Sequence, residues 1–497
     1  MDTEVVVVGA GPSGLVLGCA LAAHGVAVRV VDRAEAPAPT SRANILHARG
    51  VEVLTRLGAL GDLHERALSP VGMTMYARGR ELATMRFVPD SREPVQALFI
   101  SQAEIEAQLR LRFEALGGSV ERGREVVGAV QDADGVTVEF ADGGSLRTAW
   151  LVGCDGSRSA VRELAGIGFP GVPVAERFLL ADVHAAWDRR RTGSAGWFHP
   201  DGMLLAMPMR GTDGRGDLWR LMADVPDTGE HLSAGQIVGR LRDLLRERAG
   251  VTDIEIGETV WTSVFRIQRR LAESYRNARV LLAGDAAHIH SPIGGQGMNT
   301  GMGDAENLAW KLAMVAGGRA DEALLDTYTP ERRPLAEEVL RTTTANTRLL
   351  AGATPLTRLV RDRLLLPVLN LASVQRQATR RASQLWVTYR GGPLGGRGPG
   401  PRPGDRIPDR ACFDVDGAPT SLYSSLGPAW ALLADGERPE LAEAARHGLG
   451  DVAVLRSPDA TGSPMLVRPD GHLAWRGEDP AGLRTWLTGT LRTRETV

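Results

Sequence analysis

Lysine is almost absent. Of 58 basic residues only Lys311 is a lysine, the rest being arginine, a bias of the kind a GC-rich genome imposes. Any mechanism that needs a catalytic lysine therefore has one candidate. Cysteine is scarce too: Cys19, Cys154 and Cys412 are odd in number, widely spaced and contain no C-x-x-C pair. That excludes a disulfide framework and a thiolate zinc site, and suits a reducing compartment. Neither sign of charge dominates, since 58 basic against 60 acidic residues leave −2 at pH 7; no polybasic face for nucleic acid is expected. No stretch approaches the ~20 apolar residues of a membrane-spanning helix. The start, Met1-Asp2-Thr3-Glu4, carries neither the basic region nor the cleavage site of a secretory signal. With 43% hydrophobic and 24% charged residues, the expectation is a cytoplasmic globular protein without nucleic-acid or membrane partners. Its 497 residues correspond to about three domains at roughly 150 residues each.

What is present begins at once. Glu4 to Val8 is a continuous apolar run of the kind a strand buried on both faces requires. Gly9-Ala10-Gly11-Pro12-Ser13-Gly14 follows, then a helical stretch from Leu15 to His24, then a second buried strand from Val26 to Val31 closed by Asp32. This is G-x-G-x-x-G in its confirming context. Gly9 is expected to make the tight turn, Gly11 to admit a diphosphate to the backbone, and Gly14 to let helix and strand pack closely. Backbone N–H groups at the helix start, where Pro12 and Ser13 stand, face the phosphates. Asp32, with Arg33 beside it, is placed for a ribose diol. The alternative for Asp32 is an ordinary strand-end carboxylate.

A second strand ending in glycine and carboxylate runs from Arg279 to Gly284-Asp285, followed by Pro292, Gly294, Gly295, Gln296, Gly297, Met298 and Asn299. The glycines leave the backbone open to a flat ligand. The helix that follows places Leu308, Leu312 and Val315 on one face, so its N-terminal N–H groups point into the loop and stabilise negative charge there. A flavin presents two matching demands: ribityl hydroxyls for Asp285, and an N1–C2=O edge that becomes anionic on reduction.

With these two elements and a third, Cys154-Asp155-Gly156-Ser157-Arg158-Ser159-Ala160-Val161-Arg162, the sequence resembles the FAD-dependent aromatic hydroxylases, single-component flavin monooxygenases with the p-hydroxybenzoate hydroxylase fold. The third element looks like the family's DG motif, tied to both FAD and nicotinamide cofactor. The resemblance implies non-covalent FAD and transient NADPH or NADH, with Asp155, Arg158 and Arg162 as candidates for the latter; ordinary salt bridging is the alternative for both arginines. It also implies FAD contacts at Arg42, Gln102 and the backbone of Val126. Surface solvation is the alternative for Arg42 and helix capping for Gln102. Pro292 and Gly295 are implied at the reacting part of the flavin loop, with no side-chain acid or base assigned. His288 and His290 have no third ligand at a metal-binding spacing and are expected to pack near the flavin.

The expected fold is α/β: a Rossmann-like FAD-binding domain, an inserted, mostly antiparallel substrate domain, and a C-terminal domain resembling thioredoxin but lacking C-x-x-C. FAD-binding parts span 1–70, 99–175 and 269–390, the last with a helical segment. The substrate domain spans 71–98 and 176–268. Residues 391–405, with seven glycines and four prolines, read as a linker, and 406–497 form the C-terminal domain. There, strands are expected near Ala429 to Leu433 and Val452 to Leu455, a hairpin turn at Pro469-Asp470-Gly471, and a helix around Ala481 to Leu491. Trp197, Phe198, Met203, Met207, Met209 and Trp219 are candidates for the substrate cavity or for plain core.

The family likeness implies hydroxylation of a bulky aromatic small molecule by O2 through C4a-hydroperoxyflavin. An aromatic polyketide is favoured by the C-terminal domain and the arginine bias. Baeyer–Villiger oxygenation, a simple phenol as substrate, and a nonenzymatic flavin scaffold are the alternatives. A flavin halogenase needs W-x-W-x-I-P and a relay lysine, but no two of the ten tryptophans are two residues apart.

Overall fold

Val5, Val6 and Val7 are fully buried, as a central strand demands. In the computed structural model, which describes residues 2–40, 43–68, 72–86, 96–211, 214–227, 229–290, 294–351, 355–458 and 462–493, Thr3–Val8 pairs in parallel with Val28–Asp32 and with Ser145–Gly153. Val120–Arg122 and Val280–Leu282 extend the parallel set at either side, and the hairpin of Val126–Gln131 with Val136–Phe140 is appended antiparallel to Ser145–Gly153. The glycine helix Pro12–Ala23 is apolar around its whole circumference, because it lies between this sheet and a second helix, Gly297–Ala316. That helix follows the loop expected to face a flavin and is named the flavin-loop helix for that expectation; its Leu308 and Leu312 are fully buried.

The second sheet runs in the order His288–Ile289, Glu255–Leu271, Gly171–Ala186, Leu218–Val225, Gly202–Pro208, Gly193–His199, Gly72–Ala77, Arg80–Arg86. Every neighbouring pair is antiparallel except Gly193–His199 with Gly72–Ala77. Strand alternation divides its side chains between two cores. Trp197, Leu204, Trp219 and Leu221 pack on the outer face with the helix Ala234–Leu244. Phe178, Phe198, Met203, Leu205 and Met222 form the inner face. Met207, on the same side of its strand as Met203 and Leu205, meets Asn44 of the first domain, Nδ2 to Sδ at 3.7 Å. The tryptophans considered above for the cavity thus turn away from the first domain, while Phe198, Met203 and Met207 do not.

The third sheet, Pro419–Ser421, Ala411–Phe413, Val452–Arg456, Trp430–Ala434, Met465–Val467 and Leu473–Arg476 in that order, builds the C-terminal domain. Its hairpin turns through Gly471 at φ +76°, and the helices Pro439–Leu449 and Pro480–Gly489 pack together. This domain shares a core with the flavin-loop helix: Trp310 and Met314 pack with Trp430, Leu432 and Leu441. Trp310 meets Trp430 edge to face at 5.3 Å, a geometry worth about 1 kcal/mol beyond burial. The Gly/Pro-rich 391–405 forms neither helix nor strand but is tied down. Tyr389 N–H donates to Gly404 O and Gly404 N–H to Leu473 O, each at 2.8 Å, and Leu394 is buried. Among the described residues no helix is long and apolar enough to cross a membrane.

Candidate active site

The first strand ends in a turn that only glycine permits. Gly9 has φ +103°, and a Cβ there would overlap the backbone of Cys154; a Cβ on Gly14 would overlap the Gly9 carbonyl. Gly11 differs, since a Cβ there would meet nothing within 4 Å. That open front lies at the N-cap of the glycine helix, whose first turn receives no side-chain cap and has Pro12 in it. Unsatisfied N–H groups and the dipole make it an anion site. Asp32 braces the turn: its Oδ2 accepts from Ala10 N–H at 2.7 Å and its Oδ1 from Ala34 N–H at 2.8 Å. Arg33 is exposed next to it. Arg124 N–H donates to Asp32 O at 2.9 Å, bringing the start of Val126–Gln131 alongside. The Val126 side chain is buried in the core, which leaves only its backbone for a ligand.

The second site converges on the same helix start. Gly284 has φ +65°, and a Cβ on it or on Gly301 would overlap Ser13 Oγ. Three segments far apart in sequence therefore touch through small residues. Asp285 is exposed in the turn Gly284–Ala286. The loop expected to face a flavin runs through Gly294 at φ +99° and Gly295 at φ +62° to the uncapped start of the flavin-loop helix, with Gln296 at its N-cap and Gly297 its first residue. Met298 packs on the core beneath. Asn299 stitches the loop to residues 45–47. Its Nδ2 donates to Ile45 O and Gly295 O, both at 3.1 Å, and its Oδ1 accepts from His47 N–H at 2.8 Å. His47 Nε2 lies 2.8 Å from Gly294 O, and burial lowers its pKa. His47 carried no motif that marked it beforehand. Arg42 and Pro292 lie outside the described residues.

Gln102 opens the helix Gln102–Ala115. Its N–H donates to Ala43 O at 3.0 Å and its Nε2 to Glu106 Oε1 at 2.7 Å, so it joins the same strip of chain that Asn299 holds. Asp155 caps the helix Ala160–Leu164, accepting from Ser159 Oγ at 2.5 Å and Val161 N–H at 3.2 Å. Burial raises its pKa, those hydrogen bonds opposing. Arg162 spends its donors on Ala286 O at 3.0 Å and Ser157 O at 3.3 Å, and lies 3.9 Å from the Phe169 ring centre. Arg158 is exposed. Ser157, Arg158, Arg162 and Phe169, with Gln268 and Arg270, line an open cleft of about 400 Å³. His288 is fully buried, with Nε2 2.6 Å from Asp304 Oδ2. No group of three or more His, Cys, Asp or Glu suited to a metal occurs among the described residues.

The donor set fits FAD. An open backbone cradle for a diphosphate, a carboxylate exposed near it, and a second uncapped helix start facing a glycine loop match its three polar parts. Known proteins agree. A family profile described as FAD binding domain matches residues 2–343, and one described as aromatic-ring hydroxylase, C-terminal, matches residues 400–493. Rifampicin monooxygenase of Streptomyces venezuelae is 36% identical, with 97% of each chain covered. The solved structure of OxyS anhydrotetracycline hydroxylase from Streptomyces rimosus superposes with a TM-score of 0.80 at 33% identity, covering 99% of each chain. That of the Diels-Alderase PyrE3 of pyrroindomycin biosynthesis superposes at 0.78 and 30% identity, also covering 99% of each.

Proposed function

The chain belongs to the FAD-dependent aromatic-ring hydroxylases, flavoprotein monooxygenases that use NAD(P)H and O2, and from that premise we propose that it hydroxylates a bulky aromatic polyketide at a ring carbon. Full-length similarity to rifampicin monooxygenase and anhydrotetracycline hydroxylase, C-terminal domain included, carries the choice of substrate class. On the inner face of the second sheet Phe178, Phe198, Met203 and Met222 pack with Leu366, and the apolar character of that face supports a ring system beside it.

In this reading Gly9, Gly11, Pro12, Ser13 and Gly14 hold the diphosphate, and Asp32 and Arg33 the adenosine ribose. The Val126 backbone lies beside the adenine. Arg42 is assigned to the diphosphate and Gln102 to a further FAD contact, Asp285 to the ribityl hydroxyls, and the residues Gly295 to Asn299, with Pro292, to the flavin ring. Arg158 stands at the cleft for the nicotinamide cofactor, where Arg162 shapes the wall, and Asp155 holds the helix start behind it. Bound FAD, reduced by NAD(P)H, supplies the oxygen-activating chemistry. The chain's own contribution is to orient the ring, to oppose its negative charge with uncapped N–H groups, and to keep water from the inner face.

The test is turnover under labelled O2 with a panel of polycyclic aromatics and simple phenols, followed by mass spectra of the products. One label at a ring carbon, with NAD(P)H consumed, is expected. A labelled lactone or ester would move the enzyme to Baeyer–Villiger chemistry. All oxygen recovered as hydrogen peroxide rejects oxygenation. An unlabelled isomer of the substrate would place it with its Diels-Alderase relative.

A further inference from the structure

The flavin-loop helix is held from behind by ionised side chains. Asp304, wholly buried, reaches back to the second strand end: its Oδ2 accepts from Gly284 N–H at 3.2 Å and contacts His288, while its Oδ1 accepts from Arg332 Nε at 2.7 Å. Arg332 is itself 2% exposed. It directs a second nitrogen to Thr300 O and a third to the Tyr389 hydroxyl, each at 2.9 Å. One guanidinium thus fixes both halves of the flavin turn. Through Asp304 it sets Gly284, and directly it sets the first turn of the helix. Tyr389 in turn packs its ring, tilted by 41°, against His472 at 4.2 Å between ring centres. His472 lies in the C-terminal hairpin turn with Arg468 and Asp470, whose carboxylate takes the Trp310 indole N–H at 3.3 Å.

We propose that Arg332 is a positioning residue for the flavin, buttressed by Tyr389 and the C-terminal hairpin turn, so that the C-terminal domain tunes the flavin without touching it. A helix terminus stabilises charge only within its first turn, so its effect on a reduced flavin depends on how firmly Thr300 and Gly284 are fixed relative to each other. Three directed bonds from a planar fork do this, and an ammonium cannot reproduce them. The proposal rests on FAD occupying the glycine cradle.

The experiment compares R332K and Y389F with R406Q in the full-length protein. Arg406 also joins the C-terminal domain to the first: its side chain binds Glu52 at 3.0 Å and its backbone pairs with His472, so R406Q removes that ion pair and keeps the backbone link to the Arg332 chain of contacts. For each variant the FAD dissociation constant, the flavin midpoint potential and the melting temperature are measured. R332K is expected to weaken FAD about tenfold and Y389F about threefold, as lost hydrogen bonds to a charged group do, both with a more negative potential. R406Q is expected to lower the melting temperature and leave the potential unmoved. If R332K does not fold, Y389F, which removes one oxygen, carries the test. Unchanged potentials in the folded, FAD-loaded variants would reduce Arg332 to a structural role and overturn the proposal. A parent protein that binds no FAD would instead overturn the functional reading beneath it.

Discussion

The flavin-loop helix meets two regions built by opposite means. At its N-terminus the glycine cradle works by absence of side chains: Gly14, Gly284 and Gly301 bring backbones into contact, and Gly11 leaves a front open. Along its flank the C-terminal seam is crowded with charge. Arg49, Glu52, Arg56, Glu306, Lys311, Glu331, Arg468 and Asp470 are all buried and pair with one another. The difference follows from what each must do. A cradle for a dinucleotide has to present N–H groups to a ligand, so any added atom displaces it. A domain seam has no ligand to satisfy its polar groups, so each ionised group needs a partner inside the protein.

The sharpest way to break this contrast is to add an atom to the cradle. Gly14→Ala should lose FAD binding by about a hundredfold, since overpacking against backbone costs up to roughly 3 kcal/mol. Gly11→Ala should leave the apoprotein's melting temperature intact and weaken FAD by about tenfold. The flavin-to-protein ratio after purification reads both. Equal losses in the two variants would mean that the cradle is not divided into a packed part and an open part.

At the seam the corresponding change is removal of one charge. Arg468→Met leaves Glu331 and Asp470 buried without their main cation and should cost about 3–5 kcal/mol in denaturant unfolding. A cost comparable to that of an exposed arginine would show that the seam is solvated.

Acid should act on the seam before the cradle. Burial lowers the His472 pKa from 6.5 to about 4, the Asp470 carboxylate opposing. The unfolded chain takes that proton at higher pH, so stability is complete above pH 6.5 and falls as the pH drops to about 4. The loss is on the order of 3 kcal/mol. Glu331 adds to this lower down. Burial opposes its ionisation, but Arg468 and Lys311 hold its pKa from 4.5 down to about 2, and its contribution is lost across that interval. Melting temperature against pH checks the order, and His472→Gln should flatten the upper part of the curve.

The smallest effect is expected at the remaining thiol of the C-terminal domain. Cys412 is buried, its pKa raised chiefly by that burial, and its Sγ faces Arg410 O at 3.5 Å. Cys412→Ser should leave turnover within about twofold, because no second thiol completes a redox pair. A large loss with normal flavin content would give the domain a chemical role.

How much of this could be read beforehand differs between the two regions. The strand, turn and helix around Gly9 to Gly14 follow from local sequence, since left-handed φ and close backbone approach select glycine wherever they occur. The alternation that separates Trp197 from Phe198 was present in the sequence, but which face met the first domain was not. Asp32 and Asp155 stand where their motifs suggested, yet in this structure they brace a turn and cap a helix, uses that a ligand-centred reading does not foresee. The connection 391–405 lacked regular structure as its composition requires, while its attachment to Leu473 depended on a strand about 70 residues away.

The sequence by itself determined the parallel nucleotide-binding core, the positions of the glycine turns and the lack of a C-x-x-C pair, because each depends on residues near one another in the chain or on counts alone. Only the tertiary structure decided that Asp304 would bind Gly284, that Arg332 would reach Tyr389, and that a carboxylate at position 470 would be buried against the flavin-loop helix. Arginines and acids are common all along this chain, and sequence spacing does not mark which of them meet. Their pairing is set by burial, which makes an unpartnered charge too costly to keep, and burial is a property of the assembled fold.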